Sequence, residues 1–349
     1  MAKQVDSITI PRPDDWHVHL RDGAMMQSVV PYTARQFARA IVMPNLSPPV
    51  TTTAAATAYR DRIMAAVPGD MDFTPLMTAY LTDDISPDEI DRGYADGVFT
   101  AAKLYPANAT TGSAHGVTDV RHIHAVLETM QTLGMPLLIH GEVTDSDIDI
   151  FDREAVFIDR ILSKLILDFP ALKIGFEHIT TQDAVDFVLA SGTNVAATIT
   201  PQHLHINRNA MLVGGMRPHN YCLPVAKREL HRLALRKAAT SGSPKFFLGT
   251  DSAPHERHTK ENACGCAGIF NAPNALESYL TVFDEEGAIG AFEGFASRHG
   301  PAFYGLDVNK AQVTLQRGKT DVPAQISAGG SDCVPFHAGD ALGWEVVPA

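Results

Sequence analysis

The sequence predicts an α/β fold, a closed (β/α)8 TIM barrel, and three observations predict it. Eight short β-rich runs alternate in order with longer helical patterns. No hairpin turns are available to join the runs, so the strands must be parallel and linked by crossovers. Ionisable residues gather at the C-terminal ends of the runs, where barrels of this kind build their sites. An open doubly wound sheet is the competing arrangement, and those strand-end positions favour closure.

The elements follow in order. The first strand covers 12–20, approached through the apolar Ile8-Thr9-Ile10, and a helical pattern follows at 25–38. The run Arg39-Ala-Ile-Val-Met-Pro-Asn45 is the second strand, followed by a helix at 51–67. Strands at 73–81 and 98–106 flank a helix at 86–95. Thr118-Asp119 opens a helix over 117–133, and Pro136-Leu-Leu-Ile-His140 lies in the strand 136–143. A helix at 151–169 precedes the strand 173–180, and Thr180-Thr181-Gln182-Asp183 starts the helix 181–190. The strand 195–204, a helix at 225–240, the strand 245–254 and a helix near 274–298 complete the repeat. Three connections exceed simple turns, at Tyr105 to Gly116, His205 to Leu223 and Ser252 to Asn274. Long ordered loops in a compact domain usually carry function, and all three leave the same face as the polar strand ends. No linker or compositional break divides the chain, so residues 1–349 read as one domain; residues 318–349 carry no motif.

Composition narrows the function classes. A net charge of −12 provides no basic stripe for nucleic acid. An anionic substrate needs positive charge concentrated locally. No run of about 18 apolar residues is present, so no membrane span is expected. Met1-Ala2-Lys3-Gln4-Val5-Asp6 lacks the apolar core of a secretory signal. Four cysteines in 349 residues make no disulfide framework. Cys264-Gly265-Cys266 is a single C-x-C without partners, and the thiols read as reduced.

The chemistry starts at Asp14-Asp15-Trp16-His17-Val18-His19-Leu20-Arg21. Residues i and i+2 of a strand share a face, so His17 and His19 project together as the beginning of a divalent metal site, with zinc a common occupant. Lys103, His140, His178 and Asp251 stand at the ends of later strands. Any one of them has a bland reading as a core or capping residue; with His17 and His19, six at the ends of five strands form a constellation. Lys103 is unusual because lysine is rarely buried. A neutral amine has one lone pair and cannot link two cations. Reaction with CO2 would make it a carbamate, an anionic two-oxygen ligand able to bridge ions about 3.5–4 Å apart.

These segments resemble the amidohydrolase superfamily and, within it, the shorter monofunctional dihydroorotases of bacterial type. The matching stretches are DDWHVHLRDG (14–23), VMPN (42–45), AAKLYPANATT (101–111), LLIHGE (137–142), FEHITT (176–181), ATITPQHL (197–204) and FLGTDSAPH (247–255). Arg21, Thr110-Thr111 and the Asp251–His255 run narrow the likeness beyond the superfamily. The resemblance implies two divalent ions per subunit, zinc in the first instance, with Lys103 carboxylated. His17, His19, Lys103 and Asp251 would hold the more buried ion; Lys103, His140 and His178 would hold the other. It implies substrate contacts from Arg21, Asn45, Thr110, Thr111, Leu223, His255 and Ala267, with His19 and His140 also facing the substrate.

The implied reaction is reversible hydrolysis of (S)-dihydroorotate to N-carbamoyl-L-aspartate in pyrimidine biosynthesis. A metal-bridged hydroxide attacks the ring amide, with Asp251 as general base and then acid. A cytoplasmic homodimer without membrane or nucleic-acid partners is implied as well. The rivals are another binuclear cyclic amidohydrolase such as a hydantoinase, which has no need of the Arg21, Asn45 and His255 clamp, and a single-metal deaminase, which leaves Lys103 without a bridging task. A non-catalytic assembly partner would have lost ligands, and none is missing.

Overall fold

The computed structural model describes residues 5–347. Most of the N-terminal stretch read above for a signal, Met1 to Gln4, lies outside the described residues. Eight parallel strands run in sequential order: β2 (Asp14–Val18), β3 (Arg39–Val42), β4 (Thr74–Tyr80), β5 (Phe99–Leu104), β6 (Leu137–Ile139), β7 (Ile174–Phe176), β8 (Val195–Ile199) and β9 (Phe246–Leu248). The barrel closes where the first strand meets the last. Asp251 N donates to His17 O at 2.9 Å and His19 N to Ser252 O at 3.0 Å. The fold is the (β/α)8 barrel expected from the sequence.

Strands buried on both faces read as unbroken apolar runs, and β6, β7 and β9 are fully buried. Trp16 faces the barrel interior, where it packs with Ile41, Ala101, Leu138, Ala196 and Phe247 and stacks on Tyr304 with ring centroids 4.3 Å apart. A Cβ on Gly300 would lie 1.9 Å from Trp16 Nε1, so only glycine lets the last helical segment close over this ring. The pairing of β2 with β3 is irregular between Asp15 and Val18, and His17, one residue on, also turns inward, toward the barrel mouth.

Several boundaries differ from the sequence reading. The strand 195–204 ends at Ile199, because the Thr200 side chain caps a short helix, Pro201–His205, with proline at its first turn. The helix at 151–169 contains a π turn, Ile158–Leu162. The helix near 274–298 breaks after Glu285 at the left-handed Gly287. The approach Ile8-Thr9-Ile10 does not run into the barrel strand. It forms its own strand, β1 (Ser7–Pro11), which Pro11 and Pro13 separate from β2. β1 pairs antiparallel with β10 (Gln312–Asp321), and β10 with β13 (Ala341–Val347). A small hairpin, β11 (Ile326–Ala328) and β12 (Ser331–Cys333), lies between them. The segment without motifs therefore builds a second sheet. It is tied to the barrel by a two-armed ion pair from Arg317 to Asp284, 2.7 Å on each arm.

Candidate metal centre and active site

His17 and His19 leave the end of β2 side by side, and Asp251 faces them from just past β9. His17 Nε2 lies 3.3 Å and His19 Nε2 3.2 Å from Asp251 Oδ1, and the two Nε2 atoms are 3.3 Å apart. Ligands held at about 2.0–2.1 Å around a tetrahedral zinc ion stand about 3.3–3.4 Å from one another. The three atoms thus have the spacing of one face of such a tetrahedron.

The tautomers agree with this. His19 Nδ1 donates to Asn45 Oδ1 at 2.9 Å, leaving the Nε2 lone pair directed inward. His17 Nδ1 lies 3.0 Å from Glu177 Oε1, a carboxylate behind the ring of the kind that orients metal ligands. Burial opposes charge on His17, but the carboxylates of Glu177 and Asp251 outweigh it and hold the ring up at about 9. The same negative potential favours a divalent cation. Burial, with Arg21 and His17 adding to it, pushes His19 down to about 4 and favours its neutral form.

Lys103, at the end of β5, has no solvent exposure. Its Nζ donates to Glu177 Oε2 and lies 4.8 Å from the Tyr105 ring centroid. Burial lowers its pKa against the opposing pull of Glu177 and Asp251. The His178 ring stands 5.0 Å from that of His17 and 4.8 Å from that of His140. His17, Glu177 and His178 can present ligand atoms within 4.8 Å of one another. His140 Nε2 faces Glu142 Oε2 at 2.9 Å, which leaves Nδ1 as the atom that could ligate a metal. Burial and the neighbouring His140 and Lys103 hold His178 well below the usual imidazole range.

Three site residues have left-handed backbone: Arg21 at φ 60°, His178 at 40° and Asp251 at 46°. Such conformations cost about 1–2 kcal/mol for a residue bearing a Cβ and persist where the surroundings fix them. The His178 amide is fixed by Thr198 Oγ1 at 2.7 Å. Asp251 is fixed by the barrel seam, where buried Asp15 accepts from Thr250 N at 2.8 Å and Thr250 Oγ1 at 2.6 Å.

Above the ligands lies a cavity of about 20 Å³. That is room for a water, which needs about 10–15 Å³ by the same measure, and not for a six-membered ring. It is lined by His17, His19, Arg21, Asn45, Thr110, Thr111, His140, His178, Leu223, Asp251 and Ala267, with Tyr105, Ala253 and Gly268. Lys103, fully buried, is not among the lining residues. His255 stands at its edge, Nε2 2.9 Å from both Arg21 Nη2 and the Ala267 carbonyl. One nitrogen cannot accept from the first and donate to the second with a single proton. Burial, then Arg21, keep this imidazole neutral. A larger groove of about 690 Å³, lined by Phe157 and Phe169 among others, contains none of the expected metal ligands, although Glu142, which braces one of them, reaches it.

The connection 105–116 closes the cavity. Thr111 O accepts from Asn45 Nδ2 at 3.0 Å and Gly112 O from Tyr80 OH at 3.2 Å. Buried Ser113 holds the turn together: its Oγ donates to Thr110 O at 2.6 Å and accepts from Thr110 N at 2.8 Å. Asn45 therefore serves His19 with one end of its amide and the loop with the other.

Sequence reasoning missed Glu177, Glu142 and Asp15. The signal was present as acids within two positions of a ligand, in Phe176-Glu177-His178, His140-Gly141-Glu142 and Asp15-Trp16-His17.

Comparison with known proteins adds the following. The model of the amidohydrolase family matches residues 10–315. A dihydroorotase of Sphingopyxis alaskensis is 72% identical over 342 residues, covering 98% of this chain and 99% of its own length. The crystal structure of a dihydroorotase from Saccharomyces cerevisiae in complex with 5-fluoroorotic acid superposes with a TM-score of 0.91 at 35% identity, covering 98% of this chain and 99% of that one. An L-hydantoinase of Arthrobacter aurescens, at 17% identity and a TM-score of 0.80, covers 97% of this chain and 82% of its own, and shares the fold.

Proposed function

The chain belongs to the amidohydrolase family, and from that premise we infer its chemistry. It has dihydroorotase function, as a metal-dependent hydrolase of a cyclic amide. One observation carries the reading of the site: the His17, His19 and Asp251 ligand atoms stand 3.2–3.3 Å apart beneath a cavity that also presents Arg21.

His17, His19 and Asp251 would hold one divalent ion, and His140 and His178 the second, with Lys103 between them. Bound there, the ions supply Lewis acidity and an activated water near neutral pH. Zinc suits the imidazole and carboxylate donors. Carboxylation would make Lys103 an anionic two-oxygen ligand that both ions could share. The lone pair of its neutral amine forms an N–C bond to CO2, a proton leaves the nitrogen, and a two-oxygen anion results. Burial favours the neutral amine that this step needs.

Arg21 receives the substrate carboxylate through its planar fork. A carboxylate there also settles the conflict at His255, whose Nε2–H can then donate to substrate. Asn45, Thr110 and Thr111 close over the ring, while Leu223 and Ala267 offer backbone groups to its amides; His19 and His140 face its reacting side. Asp251 takes the proton of the attacking water and returns it to the ring nitrogen as the C–N bond breaks. The reverse path closes N-carbamoyl-L-aspartate to the ring with loss of water. The 105–116 loop must lift to admit either molecule.

The same reading makes the protein a cytoplasmic homodimer of pyrimidine synthesis, with its 349 residues acting as one unit. Cys222, Cys264, Cys266 and Cys333, all free, suit a reducing compartment. No helix among the described residues is long and apolar enough to cross a membrane. The test is an absorbance assay of dihydroorotate hydrolysis with hydantoin and allantoin as controls, and 5-fluoroorotic acid as a competing ligand. Turnover of dihydroorotate alone, inhibited by that acid, is expected; faster turnover of hydantoin would replace the reading with a hydantoinase.

A further inference from the structure

Lys260 is a second buried lysine, 4% exposed, in a part of the molecule that the mechanism does not use. It ends the short helix Arg257–Lys260 inside the long connection after β9. Its Nζ donates to three backbone carbonyls, Tyr221 O at 3.0 Å, Cys266 O at 2.8 Å and Gly268 O at 2.6 Å. An ammonium has three N–H donors and here every one has a carbonyl.

Those carbonyls belong to two chain segments from different connections. One runs through Tyr221 to Leu223 and the other through Cys266 to Gly268, and they touch directly where Gly268 N donates to Tyr221 O at 3.0 Å. Leu223 from the first segment and Ala267 from the second line the cavity above the metal ligands. The second segment is pressed against the carboxylate clamp as well. A Cβ on Gly268 would lie 2.6 Å from Ala253 O and 2.8 Å from His255 Cδ2. The Ala267 carbonyl is the group that competes with Arg21 for His255.

We propose that Lys260 is a positioning residue for substrate recognition: its ammonium gathers the Tyr221, Cys266 and Gly268 carbonyls and so sets the distance between the two backbone walls, Leu223 and Ala267, that grip the ring. The inference rests on the cavity being the substrate site, as read above. Lys260 reaches neither the metal ligands nor the reacting bond, so its loss should loosen binding and leave the chemical step alone.

The titratable and charged groups around Nζ are the Cys222 and Cys266 thiols and the Arg21 guanidinium. The helix itself adds Arg257 and His258, flanked by Glu256 and Glu261, and β12, packed on it, adds Asp332 and Cys333. The partners of Nζ are all carbonyls, and burial pushes the ammonium down to about 8. Above that pH the amine has two N–H groups for three carbonyls, so the walls should slacken as pH rises.

Lys260→Met removes the charge and keeps the length. KM for dihydroorotate should rise about tenfold or more, the scale expected for losing hydrogen bonds from a charged donor. The turnover number kcat and the metal content should stay near wild type. Lys260→Arg, which keeps a cation but not three convergent donors, should fall between the two. In wild type, KM should climb as pH passes through about 8, and in Lys260→Met that rise should vanish. Amide exchange at Gly268 should quicken in the variant. A folded Lys260→Met with wild-type KM, or one whose kcat and metal content fall together with binding, overturns the proposal. If Lys260→Met does not fold, a wild-type KM that is flat across pH 8 overturns it. If the wild type leaves dihydroorotate untouched, the functional reading fails by itself. Exchange at Gly268 then still decides Lys260, and no change there in the variant overturns its role.

Discussion

The two halves of the candidate metal centre are built by different means. At the barrel seam, His17, His19 and Asp251 are placed by strand geometry. Two of them share a face of β2, and the third is pinned where β9 meets β2, by the Asp251 N to His17 O bond and by Asp15 on Thr250. Their donor atoms already have ligand spacing. Across the barrel, Lys103, His140 and His178 come from three strand ends; acids meet the first two, and Thr198 Oγ1 holds the His178 amide. Glu177 accepts from Lys103 Nζ and Glu142 braces His140. The first half needs only a cation. On the proposed reading the second also needs Lys103 to change from donor to anionic acceptor. The comparison teaches that one ion should bind through the fold alone and the other through a chemical modification of the fold.

The sharpest way to break this comparison is Lys103→Ala. It should remove nearly all activity, and added short carboxylic acids, which can stand in for the carbamate oxygens, should restore part of it. A Lys103→Ala protein that keeps most of its activity, or that none of these acids restores, would detach Lys103 from the bridging role. Asp251→Asn probes the seam half. The amide keeps the size and loses the proton acceptor, so kcat should fall by about 10²–10⁴, the usual worth of general acid–base catalysis. A variant that keeps most of its kcat would leave Asp251 without its assigned task.

Smaller effects test what lies above both halves. Arg21→Lys keeps charge without the planar fork and should raise KM for dihydroorotate, and Arg21→Met should raise it further. Equal kcat/KM in both variants and wild type would place the carboxylate elsewhere. Thr110→Val combined with Thr111→Val should lower kcat/KM at least about tenfold, or about 1.4 kcal/mol, with metal content unchanged. Hydrogen exchange across 105–116 should slow when substrate binds, because closure of the loop excludes water. A double variant equal to wild type, with exchange insensitive to ligand, would reduce the loop to a connector.

Much of this was legible in the sequence, for physical reasons. The barrel strands are apolar runs because both of their faces are buried. Their order is legible because each pairs with its successor. His17 and His19 are visible as a pair because the pleat has period two. The second sheet was not legible. β1 and β10 pair Ser7 with Gln316, and nothing local in either segment names so distant a partner. The acids behind the histidines were passed over because they look like ordinary charges until Glu177 is seen against both His17 and Lys103. Lys260 was hidden for the same reason. In sequence it follows Arg257-His258-Thr259 as one more basic residue of a loop, and only the folded chain brings three carbonyls from two segments around it.

The central claim is that the seam half holds its ion by geometry and the other half holds its ion through modified Lys103. Elemental analysis of purified wild type and Lys103→Ala tests it most directly. Two divalent ions per chain in the wild type and one in the variant, the survivor lost on further substitution of His17 or His19, is the predicted result. A wild type with a single tightly bound ion, or a Lys103→Ala protein that keeps two, would contradict it.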